Sequence, residues 1–161
     1  MPQTPYILSL ETSTPVLSVA LHQGGKLMTS MEHHVAREHN KRLISMVDNV
    51  LKLMDYTLAK LDAIAICSGP GSYTGLRIGA SFAKGLCLGA GLPLLAVDSL
   101  TPMLQTAQRH TIDGVYIVLL HAGRGHAYTL VADAHGQIML PMKKLAIQID
   151  SFASWLTKGL V

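Results

Sequence analysis

Charge is scarce in this chain. Only 14% of its 161 residues are Asp, Glu, Lys or Arg, while 49% are hydrophobic. A disordered chain has the reverse balance, so that class is excluded and a sizeable core can be buried. Low charge in a globular chain also points to apolar surface that a partner covers. Long apolar runs are missing as well. The most apolar stretch, residues 85–97, is bounded by Lys84 and Asp98 and broken by Gly89, Gly91 and Pro93. A membrane-spanning helix needs about 20 unbroken apolar residues. The opening Met1-Pro2-Gln3-Thr4-Pro5 has no basic cluster before an apolar run, so no secretory signal is expected. Cysteine is limited to Cys67 and Cys87, which lie in apolar stretches without metal-ligand spacing and fit free thiols in a reducing cytoplasm. Aromatic residues are 5%, no run of Lys or Arg exceeds a pair, and the net charge is +3. That balance permits contact with nucleic acid without arguing for it.

What is present reads as an α/β chain. Residues 6–11 are a short apolar run, Thr12-Ser13-Thr14-Pro15 breaks it, and residues 16–22 resume it. Gln23-Gly24-Gly25-Lys26 is a hairpin signal, because paired glycines accept the positive φ of tight turns, and residues 27–33 read as a third strand. The period then changes. Leu43, Met46, Val47, Val50, Leu51 and Met54 recur at three- and four-residue steps and predict a helix over about 38–54. Ile44 and Leu53 widen its apolar face, which fits either a helix deep in its own core or one shared with another subunit. Residues 62–67 predict a buried strand, then comes a glycine-rich loop at 68–75 and a helix over about 74–88. Along that helix Gly75, Gly79 and Ala83 form a bare ridge. Each glycine costs about 1 kcal/mol relative to alanine, so the ridge implies close approach by the internal sheet or by a partner helix. A further buried strand is expected over 93–97, with Asp98 or Ser99 capping a helix to about 110. A thinner second lobe follows, with strands over 115–120, 127–132 and 138–142 and a short helix from Asp150 or Ser151 that carries Phe152, Trp155 and Leu156.

Residue chemistry alone defines no active site. A glycine-rich loop entering a helix N-terminus suits anions. Here Gly75 is followed by Leu76 and Arg77, so the phosphate lysine and magnesium hydroxyl of a P-loop are not in place. Glu11-Thr12-Ser13 offers a carboxylate and two hydroxyls at a strand end, as phosphate-and-magnesium loops do, yet such residues are common at ordinary strand-to-turn junctions. The eight histidines include no pair at helical metal-ligand spacing, and Ser68 and Ser72 lack the Gly-x-Ser-x-Gly context of a nucleophile.

Residues 6–14 (YILSLETST), 18–21 (SVAL) and above all 68–79 (SGPGSYTGLRIG) with 83–86 (AKGL) resemble the bacterial TsaB family, also called YeaZ. The resemblance covers about residues 6–104. It implies an α/β actin-like, Hsp70-like ATPase (ribonuclease H-like) fold, with a complete first lobe at 1–104 and a partial, truncated second lobe at 105–161. It further implies a non-catalytic role in making threonylcarbamoyladenosine in tRNA, in the cytoplasm, as the dimerising partner of TsaD. With the ATPase TsaE, TsaD transfers threonylcarbamoyl to the adenosine beside the anticodon. In TsaD two histidines of an Asn-His-Leu-Glu-Ala-His-Leu stretch bind metal; here Ser99 and Met103 stand in their places, and neither replaces an imidazole for a divalent cation.

The residues that the resemblance marks fall into two sets. Leu43, Met46, Val47, Val50 and Met54 of the first helix, with Gly75, Gly79, Phe82 and Ala83 of the second, are the expected partner interface. Glu11, Thr12, Ser13, Gly69, Gly71, Ser72 and Thr74 are the expected vestige of a nucleotide cleft, with no cofactor required and weak ATP or ADP binding at most. The implied partners are TsaD and TsaE, a second copy when the chain is alone, and tRNA only indirectly, with no membrane. Competing readings are an active ATPase, a glycoprotease-type metallopeptidase, or a homodimer with no TsaD partner. The second lobe departs from the family's Asp-Ala-Arg and Glu-Val-Tyr signature, since His121-Ala122-Gly123-Arg124-Gly125-His126-Ala127-Tyr128 keeps only part of it.

Overall fold

The computed structural model describes residues 4–109 and 113–156, in two compact units, Met1–Val97 and Asp98–Val161. The first unit opens with a meander of β1 (Tyr6–Glu11), β2 (Leu17–Gln23) and β3 (Lys26–His33). Gly24 (φ 56°) and Gly25 (φ 80°) turn the second hairpin in the left-handed conformation that its tight connection requires. After α1 (His39–Lys52) the chain enters β4 (Ala63–Gly69), which runs parallel to β1 with Ile7 opposite Ala63 and Leu10 opposite Ile66. Then come α2 (Tyr73–Ala90), closed by left-handed Gly91, and β5 (Leu94–Asp98). The strand order is β3-β2-β1-β4-β5.

Alternation decides which face of this sheet is covered. Leu8 and Leu10 of β1 and Leu17, Val19 and Leu21 of β2 point to one side, where they join Leu43, Met46, Val47, Val50 and Leu51 of α1 in a single core. Each such side chain contributes roughly 1.5–3 kcal/mol when fully buried. β4 is buried on both faces at Ala63, Ile64, Ala65 and Ile66, as its interior position demands. β5 departs from expectation. It is the outer strand rather than a buried one, and Leu95 and Val97 are each 40% exposed. An apolar run of five residues carries no sign of whether another strand will lie beside it.

The second unit contains α3 (Leu100–Gln108), β6 (Val115–His121), β7 (His126–Asp133), β8 (Ile138–Ala146) and the short α4 (Ala153–Leu156). Its three strands form an antiparallel sheet in the order β6-β7-β8. Leu100 and Leu104 of α3 pack with Val118, Leu130 and Ala132. That packing places α3 in the second unit, so the division falls at 97/98 rather than at 104/105. Asp98 starts α3 by accepting the N–H groups of Leu100 (2.9 Å) and Thr101 (2.8 Å). Residue 110, where this helix was expected to end, lies outside the described residues. No described helix is long and apolar enough to cross a membrane.

Candidate functional site

The β1–β2 turn and the entry to α2 are built against each other. Ser72 N–H donates to the Ser13 carbonyl at 2.7 Å, and the Ser72 hydroxyl caps the helix by accepting Gly75 N–H at 3.2 Å. The close fit explains the glycines. A Cβ on Gly71 would stand 2.5 Å from the Ser13 Cβ, one on Gly75 would overlap the Thr12 carbonyl oxygen, and one on Gly79 would overlap the Thr12 hydroxyl. Gly69 adds a left-handed φ of 96° that a side chain would strain. Sequence reasoning left the glycine ridge open between internal sheet and partner; its occupant is the chain's own Thr12.

This packing decides what the residues of the expected nucleotide vestige can do. Thr12 is 2% exposed and Ser13 5%. The Ser13 N–H, a donor a phosphate would want, is already taken by the Glu11 carboxylate. Of Glu11, Thr12, Ser13, Gly69, Gly71, Ser72 and Thr74, the structure sets Gly71 and Ser72 against Ser13, whose N–H is held by Glu11, while Gly69 faces Leu76. Beside them lies an open groove of about 610 Å³, walled by Thr14, Arg37, His39, Asn40, Ser72 and Thr74 among others, with no carboxylate in its lining. His39, which sequence reasoning passed over, is buried and lies 2.9 Å through Nε2 from the Thr14 carbonyl. A carbonyl only accepts, so Nε2 carries the proton and α1 is tied to the β1–β2 turn. At the start of α1, hydrogen bonds from Arg42 and then His33 hold the Glu38 carboxyl below the usual carboxylate range.

The expected interface needs correction. Leu43, Met46, Val47 and Val50 are between 0% and 5% exposed, inside the chain's own core, and Met54 and Phe82 pack against that core. Gly75, Gly79 and Ala83 are buried too. Their three- and four-residue periodicity marked the inner faces of α1 and α2. The outward apolar residues are those off the line: Ile44 (65% exposed) and Leu53 (67%) near α1, and Tyr73 (74%) and Leu88 (85%) on α2. On α2, a Cβ at Gly85 or Gly89 would meet nothing within 4 Å. The signal was available, since Ile44 and Leu53 are apolar residues that the inner stripe does not account for.

Met103 lies on the exposed side of α3, 42% accessible, and Ser99 precedes that helix. Among the described residues no three of His, Cys, Asp and Glu converge as metal ligands would. Cys67 and Cys87 are not joined in a disulfide, and burial pushes the Cys87 thiol up.

A family model described as TsaD, tRNA N6-adenosine threonylcarbamoyltransferase, matches residues 32–159. The tRNA threonylcarbamoyladenosine biosynthesis protein TsaB of Haemophilus influenzae is 43% identical over 101 residues, 63% of this chain and 42% of the relative. Its Escherichia coli counterpart is 38% identical over 122 residues, 76% of this chain and 52% of the relative. The chain therefore spans about half the length of the curated relatives it matches. Among solved structures, YeaZ from Pseudomonas aeruginosa superimposes with a TM-score of 0.76 at 30% identity, over 89% of this chain and 67% of that one. The ethanolamine utilization protein EutJ of Carboxydothermus hydrogenoformans reaches 0.55 at 16% identity, over 89% and 52%, a likeness of fold alone. The fold is that of the actin-like ATPases. With the TsaD family model matched over residues 32–159 of the chain and YeaZ of Pseudomonas aeruginosa 30% identical over two thirds of its length, beside the TsaB relatives, the chain belongs to the TsaB (YeaZ) family.

Proposed function

We propose that the chain serves tRNA threonylcarbamoyladenosine synthesis as a non-catalytic scaffold that pairs with TsaD, in the cytoplasm and alongside TsaE, and that it self-associates when alone. The pairing surface is the outer side of α1 and α2, with Ile44, Leu53, Tyr73 and Leu88 as its apolar anchors. One observation carries this reading: Gly85 and Gly89 sit within α2 with open space where a Cβ would go. Glycine weakens a helix by about 1 kcal/mol relative to alanine, and Gly75 and Gly79 have an internal reason that these two lack. Close approach of another backbone is the reason that remains. Exposed Leu88 on the same helix, with exposed Ile44 on α1, supplies apolar area for such an approach to bury.

The non-catalytic part of the reading is supported by Ser99 and Met103, whose hydroxyl and thioether are poor ligands for the divalent ion held by histidines in TsaD. Weak binding of ATP or ADP, where it occurs, uses the groove beside Arg37 and Asn40, because the Glu11–Ser13 turn is closed.

Size-exclusion chromatography with light scattering, on the chain alone and mixed with TsaD, tests the pairing. Leu88→Glu should abolish the mixed peak while leaving the circular dichroism spectrum unchanged. A mixed peak that survives both Leu88→Glu and Ile44→Glu would rule the surface out.

A further inference from the structure

The groove of about 610 Å³ on the first unit holds positive charge that no acid in its own walls balances. Arg37 just before α1, Asn40 inside it, Thr14 of the β1–β2 turn and Ser72 at the entry to α2 line it. Thr74 and Ile78 are shared with a neighbouring hollow of about 360 Å³ beside Tyr73, Arg77 and Ser81 of α2. No Asp or Glu lines either space. Among the described residues neither Arg37 nor Arg77 has a carboxylate partner. The Arg77 guanidinium lies instead over the Tyr73 ring, 5.5 Å from its centre.

The acids nearest in sequence are engaged elsewhere. Glu11 holds the Ser13 N–H, and Glu38 accepts from Arg42 (3.2 Å) and His33 (3.1 Å) instead of capping α1. Neither α1 nor α2 carries an acid in its first turn, so both helix starts add to the positive potential of the arginines. His39, 6% exposed, gives Nε2 to Thr14, and its Nδ1 has no hydrogen-bond partner among the described residues. That nitrogen becomes one more donor to an acid when the ring is protonated. A cleft of this charge is costly to cover with an apolar or basic surface and is matched by a negative one.

We propose that the groove seats an acidic side chain, Asp or Glu, of the protein that pairs with the outer side of α1 and α2, as the charged anchor beside that surface's apolar ones. This rests on the proposed pairing. Continuity selects a protein as the source of the acid. Tyr73, an anchor of the pairing surface, lines the hollow next to the groove, so a protein covering α2 meets Arg77 and then Arg37 along one surface. An anchor of this kind governs the register and speed of encounter more than the total affinity.

Titration of TsaD with the chain, followed by light scattering, tests the proposal. Pairing of the unaltered chain should weaken several-fold between about 50 and about 300 mM salt, since charge at a surface is screened. Arg37→Glu should weaken it about tenfold and flatten the salt dependence, while Arg37→Lys should keep most of it. Asn40→Asp gives the sharper check. A carboxylate in the first turn of α1 suits the helix, so the melting temperature should hold or rise, yet pairing should weaken several-fold because the groove then has an acid of its own. A folding defect would lower both. Pairing by Arg37→Glu and Asn40→Asp equal to that of the unaltered chain overturns the anchor and leaves the pairing itself standing, whereas no mixed peak from the unaltered chain overturns both. Inorganic phosphate whose phosphorus NMR signal broadens with the chain alone but not with Arg37→Glu, in a variant that still pairs normally, would make the groove a phosphate site and overturn the proposal.

Discussion

Gly75 of α2 packs so tightly on Thr12 that a single added carbon would overlap the threonine carbonyl oxygen. The β1–β2 turn and the start of α2 are thus one piece of structure, joined where the chain returns after a long detour through β2, β3, α1 and β4.

The glycines of α2 divide into two kinds, and alanine substitution separates them. Gly75→Ala should destabilise the chain by about 2 kcal/mol or more, despite alanine's helix propensity, because the obstruction is backbone and cannot rotate away. Gly85→Ala and Gly89→Ala should each stabilise the lone chain by about 0.5–1 kcal/mol while weakening its association. Urea unfolding followed by circular dichroism reads the first effect, and light scattering the second.

Thr129 on β7 is fully buried, and its hydroxyl has no hydrogen-bond partner among the described residues. Thr129→Val replaces that hydroxyl with a methyl of nearly the same shape, removing a desolvation cost of about 1–3 kcal/mol. The melting temperature should rise. Unchanged or lowered stability would mean that the hydroxyl has found a partner.

Asp98 predicts a pH dependence. Burial alone would raise its carboxyl, but hydrogen bonds from Thr101 and Leu100 outweigh that effect and hold it below the usual carboxylate value. A carboxylate depressed in the folded state stabilises above its unfolded pKa of about 3.9, and the contribution disappears as pH falls through the folded value. Asp98→Ala should therefore cost about 1 kcal/mol at neutral pH, the usual size of a lost helix cap, and much less in acid. Thermal melts at neutral pH and near pH 3 make the comparison.

Glu38 titrates in the same direction, held low by Arg42 and His33. Glu38→Gln should flatten the acid limb of the stability profile, with the remaining slope left to Asp98. An identical profile in the Gln variant would show that the His33–Glu38–Arg42 cluster has no linkage to folding.

Much of this was legible beforehand. The Gly24-Gly25 turn, the inner stripe of α1 and the strand-to-loop passage at residues 62–75 are local signals, each readable from its own neighbours. The errors concern facing. The spacing of Leu43, Val47 and Val50 states that they share a side but not what lies there, and the sheet's leucines claimed them first. For Thr12, nothing nearby in sequence marks the partner, because Gly75 and Gly79 reach it only after β4 has folded beside β1. β5 failed for a related reason: its apolar residues are compatible with an interior strand, and only the complete strand order shows it to be outermost.

The parallel pairing of β1 with β4 sets an order of events for folding. Ile7 meets Ala63 and Leu10 meets Ile66, so the middle of the sheet closes only after a long loop has been drawn in, whereas β2 and β3 meet across a two-glycine turn. Loop closure of that span is entropically slow, and a hairpin is not. In pulse-labelling experiments the β2–β3 amides should gain protection early. The strands flanking the glycine-rich loop should follow, so that the helix face on which assembly is proposed becomes firm only at the end of folding.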